Sequence, residues 1–230
     1  MRGVLALLLV PAVAHAYRPF DGSDAAVTAP GELDLELGPA QGVRIGGATT
    51  YLPGALLGAG VARDFELLVD AASAIGGGRD SAIASDFVVK HVLRHGGLQG
   101  GGGPSLAIEA GILFPTLPAE GTQTGWLAGA IASQVWDLVT IHASVEAVYG
   151  RRRALGPIAS VIAEGPENWE VRPVGELVAA DVDVRVLSLL GGAVWRASEK
   201  VAFDGAVRIA RIGERDAIEV RAGVSLAFAP

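Results

Sequence analysis

The chain has 230 residues, and its formal net charge of −7 at pH 7 argues against nucleic-acid binding. It contains no cysteine, which excludes disulfides and thiolate metal sites. Half of its residues are hydrophobic, yet beyond the N-terminal leader no apolar run is long enough for a transmembrane helix. The hydrophobic residues instead alternate with polar ones at period two, which is the sequence pattern of a transmembrane β-barrel.

Residues 1–16 have the pattern of a secretory signal peptide. Arg2 supplies the positive charge, a short apolar run follows, and Ala14 and Ala16 fit a cleavage site before Tyr17. The alternative is a membrane anchor, but the apolar run is too short to cross about 30 Å of hydrocarbon as a helix. No cysteine follows the cleavage site, so a lipoprotein is excluded. The mature chain is therefore predicted to cross the inner membrane.

The start of the mature chain predicts a lead-in followed by a strand. Residues 17–30 are polar, contain prolines and show no period, so we predict a periplasmic N-terminal lead-in. Residues 31–38 alternate three leucines with Glu32, Asp34 and Glu36, which puts the carboxylates on one face of a strand. Three carboxylates are costly against lipid, so this face must be turned to water inside a barrel.

Ten further strands follow from the same alternation. They are predicted at residues 52–61, 65–73, 83–94, 104–114, 125–136, 138–149, 156–163, 169–179, 182–195 and 201–211. In the segment 182–195 the apolar parity shifts near Val186 and Leu187, which indicates a bulge or a mistaken boundary.

The last strand, residues 217–228, has the clearest two-faced pattern. Glu219 and Arg221 share one face with small residues, while large apolar side chains occupy the other. A chain that closes on an amphipathic strand ending in Phe228 is typical of outer-membrane barrels. This strand brings the predicted number to twelve, which is even, as in most bacterial barrels.

Turn lengths and aromatic residues predict two rims. Short turns are expected at residues 63–64, 136–137 and 198–199 on the periplasmic rim, and longer links on the opposite rim. Five aromatic residues fall near strand ends, as they do in interfacial girdles. They are Trp126, Trp136, Tyr149, Trp169 and Trp195.

We therefore predict an all-β fold, a transmembrane antiparallel up-and-down β-barrel of about twelve strands at residues 31–230. Its expected location is the outer membrane, with outer-membrane lipids and the barrel-insertion machinery as partners. The competing interpretation is a secreted, soluble β-barrel or sandwich that acts as a binding module. A soluble barrel would place its apolar side chains inside and its polar ones outside, the reverse of the parity predicted here.

The inward parity collects ionisable side chains that we predict to line the lumen. They are Glu32, Asp34, Glu36, Glu66, Asp70, Lys90, Arg94, Glu109, His142, Glu146, Arg172, Glu176, Asp204, Arg208, Glu219 and Arg221. One interpretation is a lumen of opposed charges that filters small solutes. The other is a plugged barrel whose ion pairs fill the interior, because twelve strands leave a space that long side chains can obstruct.

No pattern of residues indicates catalysis, a metal or a cofactor. His142 could be a general base or a metal ligand, but between Thr140 and Ser144 a hydrogen-bonded lumen residue is the simpler interpretation. His91 has no serine placed to pair with it, which argues against an outer-membrane phospholipase, and we predict no enzyme. The cluster 151–153 of three arginines either binds external phosphates or is a solvated loop. Residues 96–103 are glycine-rich but lack a phosphate-loop motif.

Several stretches resemble one family, the outer-membrane transporters grouped under the meta-pathway of phenol degradation. They are residues 18–21, 24–25, 31–37, 63–67, 86–90, 104–107, 114–116, 169–177, 192–195 and the last strand. The chain departs from the family in ending Ala229-Pro230 after Phe228, instead of on or next to the aromatic residue. The resemblance implies an outer-membrane channel or transporter and names no substrate. The name of the family alone suggests small hydrophobic or aromatic solutes.

Overall fold

The structure is a computed structural model that describes residues 19–76, 79–118, 121–152 and 154–229. The predicted signal peptide, residues 1–16, lies outside the described residues. The strands are β1 (Leu33–Ile45), β2 (Ala48–Tyr51), β3 (Gly54–Ala62), β4 (Phe65–Gly76), β5 (Arg79–Arg94), β6 (Ser105–Leu113), β7 (Gly125–Val135), β8 (Thr140–Tyr149), β9 (Leu155–Glu164), β10 (Val171–Asp181), β11 (Arg185–Arg196), β12 (Val201–Ile212) and β13 (Arg215–Phe228).

These strands form one closed antiparallel barrel. Each strand pairs with its neighbours in sequence, and β13 closes the sheet by pairing with β1 from Leu33 opposite Phe228 to Ile45 opposite Ala217. The segments β2 and β3 share one position between β1 and β4, because Pro53 lacks an N–H for the ladder and interrupts them. The barrel therefore has twelve positions, which confirms the predicted fold class.

The barrel has two rims, defined by the chain termini. The N-terminal rim holds the start of β1 and the end of β13, and the opposite rim is called the far rim. The short turns predicted at residues 63–64, 136–137 and 198–199 lie on the N-terminal rim. The expected longer loops are not a general property of the far rim, since the β1–β2 turn there is only Gly46 and Gly47. Both glycines have positive φ, which a two-residue hairpin turn requires.

The outer surface of the barrel is apolar. Val207, Ile209, Ile218 and Val220 point outward from β12 and β13, and between 51% and 56% of each is exposed. Exposed apolar side chains on this scale would be costly in water, whereas they match hydrocarbon. The parity is therefore the one predicted for a membrane barrel and the reverse of a soluble one. None of the helical structure in the described residues is long and apolar enough to cross a bilayer.

Aromatic pairs mark both ends of this apolar surface. Trp195 stacks with Phe203 near the N-terminal rim, with ring centroids 5.5 Å apart. Trp126 stacks with Tyr149 near the far rim, with ring centroids 6.3 Å apart. Amphipathic rings are favoured at the level of lipid headgroups, so the two pairs bracket a membrane-spanning zone.

The interior is packed, and a large apolar cluster lies in its far-rim half. Thirteen buried residues from nearly every strand form one apolar cluster, called here the apolar layer. Its members are Leu56, Leu68, Val88, Leu113, Leu127, Val148, Ile158, Val178, Ala180, Val182, Val186, Ile212 and Ala217. Val186 belongs to this layer because β11 begins at Arg185 and pairs in continuous register with β10 and β12. The parity shift in the sequence was therefore a mistaken boundary and not a bulge.

Residues 19–30, called here the N-terminal segment, lie inside the barrel. Phe20 is only 2% exposed and packs among Ile162, Val174 and Leu190, while Ala25 is completely buried. A periplasmic lead-in was the sequence-based expectation, and nothing in its non-periodic pattern indicated that the segment would occupy the barrel interior.

Candidate functional site

Ionisable side chains meet in the interior because neighbouring strands hold them in register. Glu66 of β4 pairs with Lys90 of β5, and Lys90 pairs with Glu109 of β6. Glu109 pairs with Gly129 of β7, which in turn pairs with Glu146 of β8. A Cβ at Gly129 would lie 2.6 Å from the Glu146 Cγ, so only glycine leaves room between the two glutamates. These four charged residues are called the acidic row.

A second group of charges joins β10, β12 and β13 to the N-terminal segment. Arg208 Nη2 lies 2.8 Å from Glu176 Oε2, and Arg208 Nη1 lies 3.6 Å from Glu219 Oε2. Arg221 Nε lies 2.7 Å from Glu219 Oε1, and its Nη1 lies 2.7 Å from Asp21 Oδ1. Arg208 also pairs with Asp21. These five residues, called the arginine cluster, tie Asp21 to the barrel wall through charge-assisted hydrogen bonds.

Backbone contacts reinforce this attachment. The N–H groups of Asp21 and Gly22 donate to Glu176 Oε1 at 2.8 and 2.6 Å. The Arg221 guanidinium donates to the Pro19 carbonyl at 2.9 Å. Further along, the Ala25 N–H donates to a serine hydroxyl of β7 at 2.9 Å. Since the N-terminal segment has no regular structure, its buried polar groups are satisfied by the wall instead.

The two aspartates of the N-terminal segment are held in their charged form. Burial alone would raise the pKa of Asp21, but Arg208 and Arg221 outweigh it and hold this pKa below the ordinary aspartate value. Burial likewise opposes ionisation of Asp24, whose pKa is nevertheless lowered, chiefly by Lys90. Lys90 Nζ lies 3.6 Å from Asp24 Oδ1. Charge attraction therefore stabilises the segment inside the barrel.

His142 lies in a hydrogen-bonded chain near the N-terminal rim. Its Nδ1 is 2.8 Å from Ser133 Oγ, and its Nε2 is 3.5 Å from Glu164 Oε1. The other oxygen of this carboxylate, Glu164 Oε2, lies 3.1 Å from Arg172 Nη1. Serine, histidine and glutamate stand in the order of a hydrolase triad. However, Ser133 is 1% exposed and accepts a hydrogen bond from Ala25, so the N-terminal segment covers the hydroxyl.

Most of the side chains predicted to line the lumen lie inside the barrel. The buried ones are Glu36, Glu66, Asp70, Lys90, Glu109, His142, Glu146, Glu176, Asp204, Arg208, Glu219 and Arg221. The half-buried ones are Glu32, Asp34 and Arg172, and Glu32 precedes β1. They face a packed interior instead of an open one, because the N-terminal segment and the apolar layer fill much of the space.

Arg94 is the exception among these residues. A register shift between Val92 and Arg94 turns its side chain out of the interior parity, opposite the outward Leu106. The side chain is exposed and donates to the carbonyls of Gly102 and Pro104. The prediction that Arg94 lines the lumen is therefore corrected, since a β-bulge reverses the face of every residue that follows it.

Several interior charges were not predicted. Asp86 is completely buried and shares the parity of Lys90, which is a signal that the sequence carries. Glu164 lies one residue beyond the predicted end of its strand. Arg151, expected in a solvated or phosphate-binding loop, is 6% exposed and donates to the carbonyls of Phe114 and Ser85 at 2.6 and 2.7 Å. A loop side chain that folds inward leaves no periodic signal.

A cavity lies among the charged side chains of the interior. Its volume is about 170 Å³, and it lies between the N-terminal segment and strands β1, β3, β4 and β5. Among the described residues, no group of three or more histidine, aspartate or glutamate side chains is arranged to hold a metal ion. The cavity is lined by both charged and apolar side chains, among them Asp24, Glu66 and Leu68.

No protein-family model matches the chain, and no curated protein matches it. Solved structures do share its fold. An outer-membrane channel from Pseudomonas putida F1 aligns with a TM-score of 0.66 at 9% identity, covering 90% of this chain and 98% of that one. The KdgM porin aligns with a TM-score of 0.59 at 11% identity, covering 85% of this chain and 99% of that one. The same porin in complex with disordered oligogalacturonate aligns with a TM-score of 0.60 at 10% identity, covering 86% of this chain and 99% of that one.

The protein is located in the outer membrane. Its closed twelve-strand barrel has the fold of these outer-membrane proteins, and its outer surface is apolar between two aromatic rims. The soluble alternative is wrong, because a soluble barrel would have the opposite parity. The narrower resemblance to transporters of phenol degradation stays a prediction.

Proposed function

We propose that the barrel is a channel for small solutes and that the N-terminal segment narrows its lumen. The observation that carries this proposal is the charged interior of a membrane barrel, represented by Lys90, Glu109, Glu176, Arg208 and Arg221, which are all buried. Ionisable groups at membrane depth are expensive, and they are typically found along solute and ion pathways. In a barrel with a structural role alone, the same charges would serve only as ion pairs that fill the interior.

The solutes that this lumen suits best are small molecules with an apolar part. The apolar layer crosses the interior on the far-rim side, so a solute must pass both apolar and charged surroundings. The family resemblance supports hydrophobic or aromatic compounds. An oligogalacturonate, which the KdgM porin binds, is a poor match, because carboxylates on its sugars would face the acidic interior of this chain.

The alternative is a structural or lipid-interacting barrel without transport. It is favoured by the packing of the apolar layer, in which Val88, Leu113 and Val148 are completely buried. A permanently packed interior of this kind would leave only the outer surface for interactions. The two functions differ in whether the N-terminal segment can leave its position.

Uptake into proteoliposomes separates these two functions. The mature chain, refolded into liposomes, is compared with a variant that lacks residues 19–30 by osmotic swelling in arabinose. A channel predicts swelling above that of protein-free liposomes, and a faster rate for the variant because the N-terminal segment no longer narrows its lumen. If both folded proteins swell no faster than protein-free liposomes, the channel is contradicted and the structural role remains.

A further inference from the structure

We propose that Lys90 exchanges one carboxylate partner for another when the N-terminal segment leaves the lumen. It gives up Asp24 of the segment and pairs with Glu109 of the barrel wall. The exchange compensates the charge of Lys90 in the open barrel and so lowers the cost of removing the segment. The inference rests on the proposed function, since it describes how the narrowed lumen opens.

In the structure, Lys90 is shared between the N-terminal segment and the wall. Its Nζ lies 3.6 Å from Asp24 Oδ1 and 3.9 Å from Glu66 Oε2, and the residue is buried. The hydroxyl of Thr28, also in the segment, contacts Glu66. Departure of the segment therefore takes the nearer of its two carboxylates from Lys90 and a polar contact from Glu66.

The loss of Asp24 alone would oppose this departure. Removing one partner of a buried ion pair leaves the other charge uncompensated, which is far more costly than losing an exposed pair. If the wall offered Lys90 no replacement, the ammonium would hold Asp24, and with it the segment, in place. The free energy of the open barrel therefore depends on a second carboxylate near Lys90.

Glu109 is placed to be this second carboxylate. It stands directly opposite Lys90 in the ladder between β5 and β6, and Glu66 stands opposite Lys90 on the other side, in β4. Directly opposed side chains of antiparallel strands have Cβ atoms about 5 Å apart, so a rotation of the lysine side chain brings its ammonium to Glu109. No movement of the wall is needed.

Glu109 also needs a donor in the closed barrel. The residue is only 3% exposed, and among the described residues neither of its carboxylate oxygens has a hydrogen-bond partner. Buried carboxylate oxygens normally have partners, because an unmade bond carries the desolvation cost of the group. An approaching ammonium, which has three N–H donors, therefore stabilises Glu109.

The two states give Lys90 the same number of carboxylate neighbours. In the closed barrel they are Asp24 and Glu66, and in the open barrel they are Glu66 and Glu109. Asp24 becomes hydrated when it leaves, so it needs no new partner. The closed and open barrels are therefore closer in free energy than the loss of a buried ion pair alone implies.

Glu146 provides the matched control. It belongs to the same acidic row, is 4% exposed, and its Oε2 likewise has no hydrogen-bond partner among the described residues. Its strand β8 is separated from β6 by β7, so it is not a cross-strand neighbour of Lys90. Glu146→Gln therefore makes the interior less acidic, as Glu109→Gln does, but leaves the second partner of Lys90 in place.

Maleimide labelling of Ser23→Cys, in the mature protein in liposomes, measures how often the segment leaves, because Ser23 is 2% exposed and the chain has no cysteine. Glu109→Gln should slow labelling about tenfold, since the open barrel loses the second partner of Lys90. Glu146→Gln should leave the rate nearly unchanged. Asp24→Asn should speed labelling, since the closed barrel loses the first partner.

The Lys90→Met background shows whether Glu109 acts through the ammonium. There, Glu109→Gln should no longer slow labelling, because no charge remains to be exchanged. Slowing that persists would mean direct repulsion between Glu109 and Asp24 and would overturn the exchange. Equal effects of Glu109→Gln and Glu146→Gln in the parent would overturn it as well, and this comparison stands if Lys90→Met does not fold.

Labelling requires no conduction, so these results are separate from the test of the channel. Labelling that responds to Glu109→Gln as expected in a protein that passes no arabinose would support the exchange and contradict the proposed function. No labelling in any variant, Asp24→Asn included, would mean that the segment does not leave and would contradict the exchange.

Discussion

Arg221 shows how one side chain connects the barrel wall to the N-terminal segment. Its guanidinium contacts Asp21, Glu219 and the Pro19 carbonyl, and the residue is 7% exposed. Charges buried in this way contribute little net stability as a pair, but removing one partner costs about 3–5 kcal/mol because the other stays buried and uncompensated. The same network therefore fixes where the segment lies.

Asp21 should control the attachment of the N-terminal segment. Asp21→Asn removes the charge that Arg208 and Arg221 share, so the segment should leave the interior more often. The chain has no cysteine, so Ser23→Cys, at a position 2% exposed, provides a single site for maleimide labelling. Labelling of Cys at position 23 should be about tenfold faster or more in the Asp21→Asn background. Equal rates would contradict the role of Asp21.

The same attachment should depend on pH. The native pKa of Asp21 is below that of an exposed aspartate, so its contribution is fully present above about pH 4 and is lost as the pH falls toward the native value. Labelling at position 23, normalised to a model thiol at each pH, should therefore rise on acidification below about pH 4. A normalised rate that stays constant from pH 7 to pH 3 would exclude this dependence.

Ala222 tests the two faces of the closing strand. It points outward between Arg221 and Gly223, near the middle of β13. Ala222→Arg would place a guanidinium against hydrocarbon at a cost of about 2–4 kcal/mol near the midplane. The free energy of folding into bilayers, measured by urea titration, should fall by this amount. Ala222→Leu, the matched control, should fold as well as the parent. Equal folding of both variants would mean that this face is not in contact with lipid.

At the scale of the elements, strands were predictable and the N-terminal segment was not. Period-two alternation predicted residues 217–228 as a strand, and β13 spans Arg215–Phe228. It missed the second half of β1, because a bulge between Leu37 and Ala40 changes the face in mid-strand. The N-terminal segment is held by separate long-range polar contacts, such as that of Asp21 with Arg221, which leave no period in the sequence.

Individual site residues were likewise predictable where they stand on a regular strand and not elsewhere. Glu219 and Arg221 were predicted because both stand on a regular strand, where the face of each residue follows from counting. The prediction for Arg94 was wrong because a β-bulge interrupts the alternation of faces along β5. The buried position of Arg151 was missed because the residues of a loop do not alternate between two faces. The cavity depends on contacts between the N-terminal segment and four strands, and its position could not be inferred from alternation.

Gly60 tests the fit between the N-terminal segment and β3. A Cβ there would collide with the carbonyl of Ala29, where the chain leaves the interior to begin β1. Gly60→Val should therefore destabilise the barrel by about 1–3 kcal/mol through overpacking. Gly191→Val, on the outer face, should have little effect, since a Cβ there meets nothing within 4 Å. Thermal unfolding in micelles compares the two variants, and equal midpoints would contradict the close approach.

For the molecule as a whole, the outer and inner surfaces of the barrel have different surroundings. The outer surface is apolar between aromatic rims and faces lipid, while the interior combines ion pairs with the apolar layer. The N-terminal segment lies across the charged half and is attached mainly by polar contacts. Polar contacts of this kind can exchange with water when the segment leaves, so a closed lumen could open without unfolding the barrel wall.

The most direct measurement is single-channel conductance across a planar bilayer, with the N-terminal segment either locked or free. The Ala25 N–H donates to Ser133 Oγ at 2.9 Å, so the two residues are neighbours, and Ala25→Cys with Ser133→Cys is designed to join the segment to β7 through a disulfide. The oxidised protein should show no channel events, and reduction in the same bilayer should produce them. Identical conductance before and after reduction, or none in either state, would contradict a solute channel closed by its N-terminal segment.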